Sequence, residues 1–199
     1  MKVTLIDLTE NPEDKIAEFA AICYDADTGE QANARRVKSL MRQRHLATLR
    51  FASATFKVEG VSRVCSHQLV RHPHLSVLQR SQRYTKEGNQ GFITPPAILS
   101  NPLLSVQWDN LRYQAQQAYE EAIQTGILKE DARFILPQGT TTELYLTGNL
   151  QAWFDFLKRR LDPHAQWEIR AVANRMYDFL HDKSPNVFNE ETLGLKYFS

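Results

Sequence analysis

The densest run of chemistry-bearing side chains is Gln68-Leu69-Val70-Arg71-His72-Pro73-His74-Leu75-Ser76-Val77-Leu78-Gln79-Arg80-Ser81-Gln82-Arg83-Tyr84. It holds three arginines, two histidines and two serines, and Pro73 prevents it from being one helix. Arginine offers planar, paired donors that suit a phosphate or a pyrimidine edge. Serine hydroxyls and loop amides can complete such an anion site. A solvated basic loop is the alternative. A second group, Ala132-Arg133-Phe134-Ile135-Leu136-Pro137, sets an arginine beside an apolar run at a helix-to-loop break, where a plain surface arginine is the competing reading. The third group spans Asn149 to Arg160. About three helical turns bring these two residues to one edge of an apolar stripe. Gln151 and Asp155 fall on the opposite side.

Other chemistries find no support. His45, His67, His72, His74, His164 and His181 lack metal-site spacing, and no dinucleotide, phosphate-loop or nucleophile-elbow string occurs. No metal is therefore expected. Cys23 and Cys65 cannot build a disulfide framework, and their apolar-periodic surroundings predict buried, inert thiols. A basic stretch, Arg35, Arg36, Lys38, Arg42 and Arg44, admits RNA binding but lacks an aromatic stacking run. A helix flanking a small anionic ligand is its other reading.

The elements that position these groups follow from periodicity. The 199 residues are 42% hydrophobic and 24% charged, with net charge +1. That is an ordinary globular chain, expected as one domain over 1–199, with no global field toward nucleic acid or membrane. Residues 3–8 read as a strand rather than a signal peptide, which with reduced thiols predicts a cytoplasmic protein. Asn11-Pro12 predicts a helix start, with Asn11 capping and Ile16, Phe19, Ala20 and Cys23 on one face. A basic helix follows over about 30–44. Residues 51–58 predict a strand ended by Glu59-Gly60, then a helix or buried segment over 61–70. Gly88-Asn89-Gln90-Gly91 predicts a flexible loop.

Asn101-Pro102 opens a long helix carrying Leu104, Trp108, Leu111, Ala115, Ala118 and Ala122, closed by Gly126. Residues 140–147 read as a strand. Residues 149–160 form a helix with Leu150, Trp153, Phe154 and Leu157 inward. Asp162-Pro163 ends it and caps a last helix striped by Ile169, Val172, Ala173, Met176 and Leu180. The fold class is α+β, an antiparallel sheet with several long helices.

Together the three polar groups resemble the flavin-dependent thymidylate synthases. That family's signature is Arg-His-Arg, seven variable residues, then Ser. Here Arg71-His72-Pro73, seven residues and Ser81 keep the spacing with Pro in place of the second Arg. Glu59-Gly60-Val61-Ser62-Arg63, Ser66-His67-Gln68-Leu69-Val70, Ser81-Gln82-Arg83-Tyr84, Ala132-Arg133 with Leu136-Pro137, Asn149-Leu150 and His164-Ala165-Gln166-Trp167-Glu168-Ile169-Arg170 fall in the family's order. The resemblance implies a homotetramer with shared sites. It implies FAD as cofactor, NADPH as reductant, methylenetetrahydrofolate as carbon donor, and C5-methylation of dUMP without a cysteine nucleophile.

By the same resemblance, Gln68, Arg71, Gln79, Ser81, Arg83, Arg133 and Arg160 contact the nucleotide. Arg80 and Gln82 lie in that stretch and contribute through backbone amides. Arg160 matches the arginine that activates the uracil ring and is the catalytic candidate. Arg71, His72, Gln79 and Asn149 match flavin contacts, His45 a histidine near flavin and folate, and His164 the histidine following the activating arginine. Pro73, Gln151, Asp155, Arg50-Phe51 and Ala47 depart from the family pattern. The second arginine of the signature is missing at Pro73. Another arginine is missing at Gln151, and Arg50 stands where an acid is common. These changes cluster on cofactor contacts, while the nucleotide arginines are kept. A paralogous C5-methylase or hydroxymethylase of UMP or dUMP, and a nucleotide-binding relative without turnover, are the alternative functions.

Overall fold

The computed structural model describes residues 1–87 and 91–195. The predicted loop at Gly88, Asn89 and Gln90 lies outside the described residues. The chain order is β1 (Lys2–Leu8), α1 (Pro12–Ala21), α2 (Glu30–Arg42), β2 (Ser53–Ser62), α3 (Arg63–Leu69), β3 (Ser76–Gln79), α4 (Pro96–Leu99), α5 (Pro102–Gln124), α6 (Lys129–Ala132), β4 (Thr141–Asn149), α7 (Leu150–Arg160), α8 (Trp167–Lys183) and α9 (Glu190–Leu193). The strands form one sheet in the order β1-β2-β4-β3. Its pairs run against each other: the Arg63 amide meets the Thr140 carbonyl, whereas the Thr55 and Thr147 hydroxyls lie 2.8 Å apart. The α+β antiparallel architecture is thus present.

The backbone divides into two compact units, and β2, β3 and β4 each pass from one into the other. The first unit comprises residues 1–58, 69–77 and the chain from Tyr145 onward. In it β2 alternates as a half-buried strand should, with Ala54, Phe56 and Val58 inward. On α7, Leu150, Trp153, Phe154 and Leu157 are buried as the stripe predicts, and Phe156 joins them. Trp153 meets Phe56 edge-on at 5.0 Å between ring centroids and donates its indole N–H to the Ala54 carbonyl. That pairing lets a large ring be fully buried without an unsatisfied donor. The predicted stripe of α8 is fully buried as well.

The second unit comprises residues 59–68 and 78–144. The Tyr119 side chain of α5 is buried there, and its hydroxyl accepts from the Glu87 amide. Gly139 lets two segments approach closely: a Cβ there would lie 3.0 Å from the Ile93 carbonyl and 3.1 Å from Trp108.

Several local expectations need correction. Asn11 sits in left-handed backbone (φ 45°), so its side chain does not cap α1. Its carbonyl alone accepts, from the Lys15 amide. The sequence Glu59-Gly60 does not end β2. Gly60 takes φ 67° inside the strand, and burial moves from 54, 56 and 58 to 61, as an extra residue in a bulge makes it do. The second helix stops at Arg42 rather than near Arg44.

Cys65 is buried, but Cys23 is exposed. The α-helix ends at Ala21 and Cys23 falls in a 3₁₀ turn, so helical period no longer carries it inward. Phe19 is likewise exposed. Asn101 caps α5 and Gly126 follows its end at φ 91°, but Leu104 and Leu111 of the predicted apolar face are exposed on this chain. Asp162 does not cap α8. Gln166 does, accepting from the Glu168 and Ile169 amides, while Asp162 caps a short turn at the His164 amide.

Candidate active site

In the first unit, β4 runs into α7, and this junction positions two of the predicted residues. Asn149 is the N-cap: its side-chain oxygen accepts from the Ala152 amide at 2.9 Å. Its amide nitrogen has no protein partner among the described residues. Arg160 closes the same helix, and its Nε donates to His72 Nε2 at 3.0 Å. His72 stands in the turn after α3, where its amide and carbonyl bond Leu69 and Leu75. Its ring packs edge-on against Phe156 at 4.8 Å.

Burial, then the positive fields of Arg160 and Arg159, lower the His72 pKa from 6.5 to about 4. The ring is therefore neutral at pH 7, carries its proton on Nδ1, and offers Nε2 as an acceptor. The catalytic candidate is thus oriented by a second predicted residue.

Gly148 explains how closely the turn approaches β4. A Cβ at that position would lie 2.6 Å from the Leu75 side chain and 3.1 Å from the His74 carbonyl. Arg71, Pro73 and His74 are exposed around this turn, as is His45 at the end of the α2 loop. His164 is almost fully exposed, with its ring and amide both on the Asp162 carboxylate. These bonds, the backbone one foremost, hold the Asp162 pKa below its ordinary value.

Two departures noted in the sequence meet in space: Arg50 Nε donates to Gln151 Oε1 at 2.7 Å. Sequence reading treated them as separate losses. Only a paired view of positions 50 and 151 could have found the contact.

The second unit holds the remaining predicted residues. Gln79, at the end of β3, donates to the hydroxyls of Ser66 (2.9 Å) and Thr142 (3.3 Å). Gln68 lies half-buried on α3, close in sequence to Ser66. The amide of Arg80 is taken by the Glu143 carbonyl, so it serves the sheet. Its guanidinium lies 3.4 Å from the Glu143 carboxylate and 3.8 Å from Glu87.

Glu87 is fully buried, and Arg63 donates to the Arg80 carbonyl. Burial raises the Glu87 pKa, opposed by Arg63, Arg80 and the Thr85 hydroxyl. Burial likewise lowers the Arg63 pKa, opposed by Glu87. This buried group underlies the turn that displays Ser81, Gln82 and Arg83. Sequence reading missed Glu87, which stands alone beside a glycine with no periodic neighbour.

In that turn the Ser81 hydroxyl accepts from the Arg83 amide, and Thr85 donates to the Ser81 carbonyl. Gln82 is half-buried. Arg83 pairs with the Glu130 carboxylate at 2.5 Å, while Arg133 Nε donates to the Glu130 carbonyl at 3.0 Å. α6 therefore brings Arg83 and Arg133 to one residue, and both stay exposed. Among the described residues no group of three or more His, Cys, Asp or Glu could hold a metal ion. No described helix is long and apolar enough to cross a membrane.

This is an α+β chain whose turns and helix ends present guanidinium, imidazole and amide donors suited to anionic, planar ligands. Its sequence matches the family described as thymidylate synthase complementing protein over residues 4–186. The flavin-dependent thymidylate synthase of Thermococcus onnurineus (strain NA1) is 38% identical over 188 residues, covering 88% of this chain and 77% of that protein. That of Pyrococcus furiosus is 35% identical over 190 residues, covering 89% and 78%. The Geobacter sulfurreducens protein of the same name is 33% identical over 204 residues, covering 98% and 88%. The chain belongs to the flavin-dependent thymidylate synthase family, a family of enzymes.

Proposed function

We propose that this protein is an FAD-dependent thymidylate synthase, converting dUMP to dTMP with methylenetetrahydrofolate as carbon donor and NADPH as reductant. The observation that carries this reading is the Arg160–His72 contact. A neutral imidazole acceptor fixes a guanidinium without neutralising it. So oriented, the guanidinium suits stabilisation of negative charge developing on a uracil ring, as a preorganised donor does. Arg83 and Arg133, joined at Glu130, suit the nucleotide phosphate. Gln68, Arg71, Gln79, Ser81 and Gln82 complete the proposed nucleotide set, and Arg80 is left out of it because its amide serves the sheet.

The donor set of the first unit also fits a flavin dinucleotide. His45, Arg71, His72, Asn149 and His164 would hold it. The flavin supplies the redox chemistry and one-carbon handling when bound. The Asn149 amide nitrogen has no protein partner among the described residues and is fixed by its own N-cap bond. Pro73 adds no donor. Arg50, held on Gln151, restores a guanidinium at the place where the sequence loses one.

The chain acts in the cytoplasm as a homotetramer. The exposed Leu103, Leu104, Val106, Leu111 and Tyr113 of α5 support assembly. A monomer in light scattering at micromolar concentration is the result against it.

The deciding experiment incubates the protein with FAD, NADPH, methylenetetrahydrofolate and dUMP and measures the product mass. A methylated nucleotide is expected. Unchanged dUMP from folded, flavin-loaded protein refutes the activity, and a hydroxymethyl product or a UMP preference would identify a paralogue.

A further inference from the structure

The basic stretch that the proposed chemistry leaves unused lines a cavity of its own. Helix α2 turns Val37, Leu40 and Met41 inward. Arg35, Lys38 and Arg42, spaced three and four residues apart, share another face and remain exposed. With Arg44 they line a cavity of about 530 Å³, closed on its other side by Asn186, Asn189 and Thr192 around α9. No residue assigned above to nucleotide or flavin lines it.

The walls are fixed independently of any ligand. Asn186 donates to the Glu13 carboxylate at 2.6 Å, and Asn189 and Thr192 form a reciprocal capping box. Arg44 holds left-handed backbone (φ 59°) and ties its Nη1 to the Thr192 carbonyl at 2.8 Å. Arg36 shows what a structural arginine on this helix looks like: the Ala17 and Asp27 carbonyls and the Asn33 side chain all accept from it. Arg35, Lys38 and Arg42 have no such partners among the described residues. Among the described residues Glu191 is the one carboxylate on the lining. Like charges crowded on one helical face repel, so this wall carries a local positive field although the whole chain carries only +1.

We propose that this cavity binds the polyphosphate group of a small ligand. The volume lies within the range of small-ligand sites. Three unpaired cations on a fixed wall match an anion with several phosphates. Among the described residues the lining has no aromatic side chain on which bases could stack, and this favours a phosphate-bearing small molecule over single-stranded RNA.

The test is calorimetric titration of the purified full-length protein with sodium tripolyphosphate and, separately, with ATP, at about 50 and about 200 mM salt. One site per chain is expected for both, weaker at the higher salt. Equal affinities mean that phosphates alone are read. Tighter ATP means that the cavity also holds the nucleoside. Combined Arg35→Ala, Lys38→Ala and Arg42→Ala should weaken binding by about tenfold or more, with circular dichroism unchanged. Lys38→Glu alone serves as the second variant and should weaken it in the same direction. Arg133→Ala, in the proposed nucleotide set, should leave it intact.

Absence of binding, or full binding by both basic-face variants, overturns the proposal. Loss of binding on Arg133→Ala overturns it too, because the ion would then sit in the nucleotide site. An oligouridylate RNA that binds far more tightly than tripolyphosphate also overturns it, in favour of a nucleic-acid surface. None of these results depends on turnover.

Discussion

Protonation of His72 should weaken the folded state, and the size of that loss can be worked out. The folded pKa of about 4 lies below the ordinary 6.5 because of burial and then the charges of Arg160 and Arg159. As pH falls below 6.5 the unfolded chain takes up the proton first. Stability therefore falls with pH between 6.5 and 4 and levels off below the folded value. For this one group the loss is roughly 1 kcal/mol at about pH 5.5, roughly 2–3 at about pH 4.5, and about 3 in full.

His72→Gln keeps a side-chain acceptor for Arg160 but cannot titrate. Urea unfolding of both proteins at matched protomer concentration, from about pH 7.5 to about pH 4.5, isolates the term, because every other group titrates in both. The difference between the two curves should open by roughly 2–3 kcal/mol toward the acid end. Parallel curves would refute the neutral, buried imidazole and with it the orientation of Arg160.

Three further outcomes follow from the same contacts. Arg160→Ala should lower kcat by about a hundredfold to a thousandfold while FAD absorbance per chain stays unchanged; unchanged turnover in single-turnover kinetics removes it from the activating role. Gly148→Ala forces a Cβ against Leu75 and the His74 carbonyl, so it should destabilise by about 1–3 kcal/mol in urea melts and lower activity by shifting His72. Pro73→Arg offers a charged donor beside His72, worth about 1.5–3 kcal/mol, and should tighten FAD by roughly ten- to a hundredfold in fluorescence titration. No gain would mean that Arg50 or another donor already makes that contact.

Much of the fold could be read because burial follows periodicity. The stripes of α7 and α8 and the alternation of β4 each state which face turns inward, and Asn149 and Asn101 state where helices begin. The misread positions share a different cause: tertiary context chose between conformations that local sequence permits. Asn11 can cap or adopt left-handed backbone, and here it adopts the latter. Gly60 can end a strand or bend it, and here it takes φ 67° while β2 continues through it to Ser62. Cys23 obeys helical spacing only if the helix continues, and a tighter turn intervenes. Leu104 and Leu111 of α5 have the right period for burial, but none of the described residues buries them.

Residue types at the candidate site were legible, but their partners were not. Arg50 and Gln151 lie about a hundred residues apart, and singly each reads as a departure from a cofactor-binding pattern. In space they form one hydrogen-bonded pair. Arg80 reads as a ligand contact because it sits among arginines, yet its amide belongs to the sheet and its side chain lies between Glu87 and Glu143. His72 reads as one of six histidines, and only burial against Phe156 beside Arg160 makes it a neutral acceptor. Protonation state and donor direction are properties of packing, so they enter only with the fold. Among the arginines proposed for the nucleotide, Arg71, Arg83 and Arg133 are exposed, and a bound anion would act on them first. They are also those whose removal should weaken nucleotide binding without unfolding the chain.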